Sequence, residues 1–301
     1  MSRPLCIYHA KCIDGLAAAW AVSKFFDGEV DLSPCSYGQI PPKVTGRTVI
    51  IVDFSFPRET LLDLSRTAHR VLVLDHHKTA ALDLQPRDGE IVELPVQTWQ
   101  EFLIQSEALI SSGESLPVFT VFDMERSGCG IAWDFFFPTV DRPPAIVYAE
   151  DHDLWRFRYA ETKAFHAYLS SFPKTLEDFQ SAIDADVRDI RLIGSHLLRF
   201  SSSLTQDIAL STRRLVQFQG ITVPIANVPG VFASDAGHLL SEGYSFSLTY
   251  YDGAGFRNFS LRSPPEGADV SEIAKQFGGG GHKHAAGFRL SFDQCRALGI
   301  L

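Results

Sequence analysis

Three short apolar runs that end abruptly in polar chemistry constrain this chain more than any other feature. Arg70-Val71-Leu72-Val73 runs through Leu74 into Asp75-His76-His77-Lys78. Thr48-Val49-Ile50-Ile51-Val52 ends in Asp53, and Pro4-Leu5-Cys6-Ile7-Tyr8 ends in His9, with Asp14 five residues on. Aliphatic, β-branched runs of this length read as strands of a parallel sheet buried on both faces, and open sheets of that kind place ligands at the carboxyl ends of their strands. The pattern therefore delivers His9 and Asp14, Asp53, and Asp75, His76 and His77 towards one edge.

Crowded carboxylates repel one another and raise each other's pKa unless a cation neutralises them, so acids gathered with imidazoles imply bound metal. Oxygen donors with some imidazole suit a hard or borderline divalent ion, Mn²⁺ first and Mg²⁺ second. The simpler alternative is that each Asp caps the helix after its strand. That explains any one position, but not paired histidines beside an acid at equivalent strand ends.

Between the runs the sequence alternates. Ile13 to Phe26 is an apolar helix, Val30 to Pro34 a strand, and Pro57 to Ala68 a helix with proline at its start and leucines inside. Strand, helix, strand, helix through residue 78 predicts right-handed crossovers on a parallel sheet. From Thr79 to about Phe119, Pro86, Gly89, Pro95, Gly113 and Pro117 interrupt short apolar stretches, and this segment reads as an irregular or hairpin insertion. Ser127-Gly128-Cys129-Gly130 precedes Ile131 to Phe136, and Pro143-Pro144 opens a helix ending in Glu150-Asp151-His152-Asp153, where Asp151 or Asp153 adds a further acid to the site.

Apolar positions from Leu176 to Ile208 recur at steps of three and four, predicting an amphipathic helix or helix pair that leads to a second domain. Beyond Thr212-Arg213-Arg214 the period changes to that of hairpins, around Gly220 and around Asp252-Gly253. The fold class is thus α/β: an N-terminal parallel-sheet domain over 1–190, a helical linker over 191–213, and a smaller α+β domain over 214–301. The last carries Phe277-Gly278-Gly279-Gly280-Gly281-His282-Lys283-His284-Ala285-Ala286-Gly287-Phe288, whose glycines could turn N–H groups inward as an anion nest. Ser260, Arg262 and Ser263 precede it on a predicted strand. Phe277, Phe288 and Tyr250 could stack on a base, although burial in the small core is the simpler reading.

Composition excludes several classes. Five scattered cysteines with no C-x-x-C pair argue against a disulfide framework or a zinc finger. A formal net charge of −9 argues against a track for long duplex nucleic acid, which needs clustered Lys and Arg. No apolar run reaches bilayer length and no secretion signal is visible, so the chain reads as cytoplasmic, with no membrane partner.

These motifs together resemble the DHH phosphoesterase superfamily. Asp75-His76-His77 matches its name-giving motif; Asp14-Gly15, Asp53 and the Asp151 region match its aspartate motifs. Gly279 to Gly287 matches the Gly-Gly-Gly-His-x-x-Ala-Ala-Gly signature of its DHHA-type C-terminal domain. The resemblance implies two divalent ions, usually Mn²⁺, in the N-terminal domain and a substrate held by the C-terminal one. Asp53 would bridge the ions, Asp14, His76 and Asp151 would complete one site, and His9 would belong to the other. Asp75 and His77 would orient ligands or face the phosphate, and His282 with Gly279, Gly280 and Gly281, helped by Ser260 and Arg262, would hold the far end of the substrate.

Many members carry two aspartates after the first histidine, whereas this chain reads His9-Ala10-Lys11-Cys12-Ile13-Asp14. Either Cys12 is a softer ligand, or the second ion is held loosely, or water fills the place; loose binding ranks first because thiolate suits Mn²⁺ poorly. The expected activity is metal-dependent hydrolysis of phosphodiester bonds in short oligonucleotides or small dinucleotides, 3′-5′ exonuclease-like, through two-metal activation of water. Pyrophosphate, polyphosphate or phosphoadenosine phosphate hydrolysis is the runner-up, and a non-catalytic nucleotide sensor a third reading. A homodimer is compatible with all of these.

Overall fold

The computed structural model describes residues 2–10, 12–85, 93–113 and 117–300. The chain divides into two units, residues 1–198 and 199–301.

The first unit is built on one six-stranded sheet of β1 (Leu5–His9), β2 (Asp31–Cys35), β3 (Thr48–Val52), β4 (Arg70–Asp75), β5 (Glu93–Pro95) and β6 (Val118–Phe122). Its order is β2-β1-β3-β4-β6-β5, with every pairing parallel. Alternation of side chains along each strand supplies two cores. Cys6, Ile50, Leu72 and Phe119 point to one, and Ile7, Val49, Ile51 and Val73 to the other.

Helices α1 (Ile13–Phe25), α2 (Arg58–Thr67), α3 (Lys78–Leu84), α4 (Trp99–Ser112), α5 (Gly128–Phe136), α6 (Pro144–Asp153), α7 (Thr162–Ser170) and α8 (Leu176–Ile183) follow or connect the strands. Helix α1 is apolar all round, with Ala17, Ala18, Ala19 and Val22 fully buried, because it lies among β1, α5, α6 and α8. The Trp20 indole donates to Gln180 Oε1 at 2.6 Å and ties α8 to it. Chain order reverses on either side of β1, so a crevice forms at the carboxyl ends of β1 and β3.

The stretch from Thr79 to Phe119, expected to be irregular, instead supplies α3, β5, α4 and β6. Its glycine and prolines bound elements rather than break them. Pro95 ends β5, Gly113 caps α4 with φ +74°, and Pro117 precedes β6. Phe102 of α4 is fully buried edge-to-face on Phe119, their ring centroids 5.0 Å apart. Pro86 and Gly89 lie outside the described residues.

Helix α9 (Val187–Thr212) begins in the first unit and runs into the second. It covers residues 191–212 of the stretch expected as a linker. The second unit adds β7 (Arg214–Phe218), β8 (Ile221–Asn227), β9 (Ser247–Gly253), β10 (Phe256–Arg262), β11 (Gly280–His282) and β12 (Ala285–Ser291), in the order β11-β12-β10-β9-β8-β7. All neighbours are antiparallel except β8 with β9. Gln219 and Gly220, both with positive φ, turn β7 into β8. Helices α10 (Ala233–Ser241), α11 (Val270–Lys275) and α12 (Phe292–Ala297) complete the unit. Phe288 belongs to its core, against which Phe277 and Tyr250 pack. None of the described helices is long and apolar enough to cross a membrane.

Phe119, fully buried at the centre of the first sheet, is expected to be costly to truncate. Phe119→Ala should lose about 3–5 kcal/mol in urea unfolding. A loss below about 1 kcal/mol would mean that α4 does not depend on this contact.

Candidate metal centre

Asp53 stands at the centre of the site. It follows β3 with φ +53°, a left-handed conformation that Asp tolerates better than most residues, and its N–H donates to Leu74 O at 2.9 Å. Gly128 presses on it so closely that an added Cβ would collide with the Asp53 Cβ. Held this way, Asp53 presents Oδ1 to His76 Nε2 at 3.1 Å and Oδ2 towards His9 Nδ1 at 3.6 Å. Oδ2 is buried and has no hydrogen-bond partner among the described residues.

Asp75, at the end of β4, is fully buried. Its Oδ1 accepts from the His76 N–H at 2.8 Å and from His77 Nδ1 at 2.6 Å, while its Oδ2 has no partner among the described residues. The carboxylate thereby fixes the proton on His77 Nδ1 and the plane of that ring. Tyr37, on the loop after β2, packs against the His9 and His77 rings at centroid distances of 5.5 and 6.0 Å.

Asp14 is buried on the first turn of α1 and is held by the start of α5. Ser127 Oγ and the Cys129 N–H donate to its Oδ1 at 2.7 and 3.0 Å, and the Gly128 N–H to its Oδ2 at 2.7 Å. That Oδ2 lies 3.7 Å from His76 Nε2. Sequence reasoning gave the Ser127-Gly128 segment no role; its Ser-Gly start to an apolar helix was the available signal.

The resemblance assigned Asp151 to the metal, but in the structure its carboxylate is engaged away from the other acids. Asp151 accepts from the Arg158 N–H at 2.9 Å, the Tyr159 N–H at 3.4 Å and Thr162 Oγ1, so both its oxygens organise the loop after α6. Asp153, half a helical turn on, places Oδ2 3.6 Å from His76 Nε2. Of the two acids between which the sequence left the choice open, Asp153 is thus the one near His76.

Within the first unit, three sets of donor atoms result among the described residues, each with its members within 4.8 Å of one another: His9, Cys12 and Asp53; Asp53, Asp75, His76 and His77; Asp14, His76 and Asp153. Asp53 is common to the first two and His76 to the last two. Four carboxylates converge here, and the charged side chains that face them are histidines. Burial and the Asp53 charge push the Asp14 carboxyl well above its ordinary range. Burial also raises Asp153, against the opposing pull of His76. Burial would lower His76, but Asp53 and Asp153 carry it up to about 10. Burial, then Asp53, keeps Cys12 a thiol in the protein alone. Unpaired buried carboxylate oxygens beside imidazoles fit a divalent cation, and the oxygen-rich set fits Mn²⁺ or Mg²⁺.

In the second unit, the glycine segment does not form the open nest expected of it. Gly280 and Gly281 pair with Gly287 and Ala286 in strand β11. A Cβ on Gly279 would collide with Gly287 O, and one on Gly281 with Ala285 O. Close strand packing therefore demands these glycines. His282 ends β11, and Arg262 is held by Ser260 Oγ at 2.9 Å and Ser234 Oγ at 2.6 Å.

With this geometry established, known proteins can be compared. No protein-family model matches the chain. It is 26% identical to the uncharacterized protein R106 of Acanthamoeba polyphaga mimivirus, over 95% of this chain and 67% of that protein. Among solved structures it resembles the DHH domain of a protein described as a member of a family of ribosomal proteins, at 14% identity and TM-score 0.56, covering 98% of this chain and 84% of that one. It also resembles an exopolyphosphatase-related protein from Bacteroides fragilis, at 14% identity and TM-score 0.52, covering 98% and 90%. The chain has the DHH-domain fold.

Two outcomes follow. Gly128→Ala should displace Asp53 and weaken Mn²⁺ binding about 10–100-fold in calorimetric titration; unchanged affinity would show that Gly128 does not set the ligand. Behind α5, Arg142 bonds Asp134 and Glu150, and Glu150 accepts from the Ser127 N–H at 3.1 Å. Burial would raise Asp134, yet Arg142 and Arg126 hold it below its ordinary value. Its contribution to stability is thus present above about pH 4 and is lost as pH falls through the lowered folded value. Asp134→Asn should flatten the acid limb of urea midpoints below about pH 4, and an unaltered limb would contradict this.

Proposed function

We propose that this protein is a metal-dependent phosphoesterase that hydrolyses phosphodiester bonds of short oligonucleotides or small dinucleotides. The observation that carries the reading is Asp53, buried, held in a left-handed conformation and shared by two adjacent donor sets. A carboxylate so placed suits two cations. The donor set fits Mn²⁺ best, with Mg²⁺ as the alternative.

In this reading Asp14, Asp53, His76 and Asp153 hold one ion, and Asp53 with His9 holds the other more loosely, Cys12 standing beside it as a thiol. When bound, such ions supply a water nucleophile at neutral pH and neutralise charge on the phosphoryl oxygens. The chain's own groups do the rest. Asp75 Oδ1 accepts from His77 Nδ1 at 2.6 Å and so orients that ring to meet charge developing on the phosphate or its leaving oxygen. Burial of Asp53 and Asp75 strengthens the electrostatic interactions they make. In the second unit, Ser260, Arg262 and His282 are assigned to substrate binding.

The test is hydrolysis, with Mn²⁺ added, of 5′-labelled di- to pentaribonucleotides, a cyclic dinucleotide, phosphoadenosine phosphate, pyrophosphate and polyphosphate, beside Asp53→Ala. Short oligonucleotides should turn over, and Asp53→Ala should fall by at least about 1,000-fold, on the scale of losing a principal charge-stabilising group. Turnover of pyrophosphate or polyphosphate alone would move the substrate class. No turnover with nucleotide binding retained would leave a sensor.

A further inference from the structure

Of the three donor sets in the first unit, that of His9, Cys12 and Asp53 is the one whose chemistry does not match Mn²⁺ or Mg²⁺. It offers one imidazole, one carboxylate and one sulfur, whereas those ions prefer a shell of oxygens. The other two sets hold only carboxylates and imidazoles. The mismatch lies in a single residue. Cys6, Cys35, Cys129 and Cys295 are buried, and Cys12 alone of the five is partly exposed. It occupies the N-cap of α1, where its side chain makes no capping hydrogen bond, whereas Thr98, Ser127 and Thr175 at the same position of α4, α5 and α8 each accept one. A helix amino terminus favours thiolate over thiol, and so a bond from sulfur to metal.

A second observation, apart from the cysteine, points to a ligand. Asp53 is 1% exposed, and its Oδ2, which faces His9, has no hydrogen-bond partner among the described residues. That oxygen stands 3.6 Å from His9 Nδ1, too long for a hydrogen bond but close to the roughly 3.4 Å between two light-atom ligands of one tetrahedral ion. Phe54 and Tyr37 hold the His9 ring in that direction, their centroids 6.1 and 5.5 Å from its own. Three protein ligands of mixed nitrogen, sulfur and oxygen type, with a place left for water or substrate, are what an accessible zinc ion takes.

We propose that the His9, Cys12 and Asp53 set is a site for a thiophilic divalent ion, zinc above all, so that the protein carries two unlike ions: Zn²⁺ here, and Mn²⁺ or Mg²⁺ at Asp14, Asp53, His76 and Asp153. On binding, the Cys12 S–H bond breaks, the sulfur electron pair forms the bond to zinc, and the proton passes to solvent. Mn²⁺ offered alone is held weakly at this set, because it gains little from sulfur. The proposal rests on the two-ion part of the reading above and not on the reaction.

Cobalt is the probe, because it accepts zinc's ligands and reports sulfur directly. Metal-free protein given two equivalents of Co²⁺ should develop a near-ultraviolet thiolate-to-cobalt charge-transfer band. Cys12→Ser and Cys12→Asp should lack the band while keeping the far-ultraviolet circular dichroism of the wild type; if one of them fails to fold, the other decides. In calorimetry Cys12→Ser should bind Zn²⁺ more than about 100-fold more weakly, beyond the loss expected of a group that only supports a ligand, and Cys12→Asp should bind its second Mn²⁺ about tenfold more tightly than the wild type does. A band that persists in Cys12→Ser overturns the proposal. So does a wild type without the band: with two cobalt ions bound the two-ion reading stands, and with one it falls as well. A Cys12-dependent band in a protein that turns over no phosphoester removes the phosphoesterase reading and keeps the site.

Discussion

The structure turns on the burial of several carboxylates within a few ångströms of one another. Asp14, Asp53 and Asp75 are all buried, and Asp153 joins them through His76. Such a group is unfavourable in a protein interior unless positive charge is brought in. Here the imidazoles of His9 and His76 are the cationic resource that the chain itself supplies. The remainder of the first unit reads as the apparatus that holds these acids in place against their repulsion.

That apparatus has an order. The parallel sheet sets the acids at neighbouring strand ends, and the strand order β2-β1-β3-β4 places His9, Asp53 and Asp75 side by side. Helix α5 then closes the site from behind: its first N–H groups grip Asp14, and the absence of a side chain at Gly128 lets it come up against Asp53. The Arg142, Asp134 and Glu150 ion pairs brace the start of that helix. Loss of any layer would act on the acids through geometry rather than through charge.

Much of this was legible in the sequence because it rests on local pattern. The β-branched runs before Asp53 and Asp75 could only be buried strands, and the acids at their ends could only converge if those strands were parallel. The stretch from 79 to 119 was misread for a related reason. Pro95, Gly113 and Pro117 are local signals of interruption, yet whether they break an element or bound one depends on partners such as Phe119 beneath Phe102, which lie at a distance along the chain. The glycines at 279 to 281 were misjudged in the same way: a lack of side chains permits an open nest and a tight strand pairing equally, and the neighbour β12 makes the choice.

The sequence by itself determined the class of fold, the strand ends that carry the acids, and the pairing of histidine with aspartate at 75 to 77, since these follow from side-chain period and chemical type. Tertiary structure alone decided that Asp153 and not Asp151 faces His76, that Ser127 and Gly128 hold Asp14 and press on Asp53, and that Cys12 lies with His9 and Asp53. The physical reason is common to all three. Each depends on which way a side chain points once two elements far apart in sequence have packed, and that direction is fixed by the packing rather than by either element.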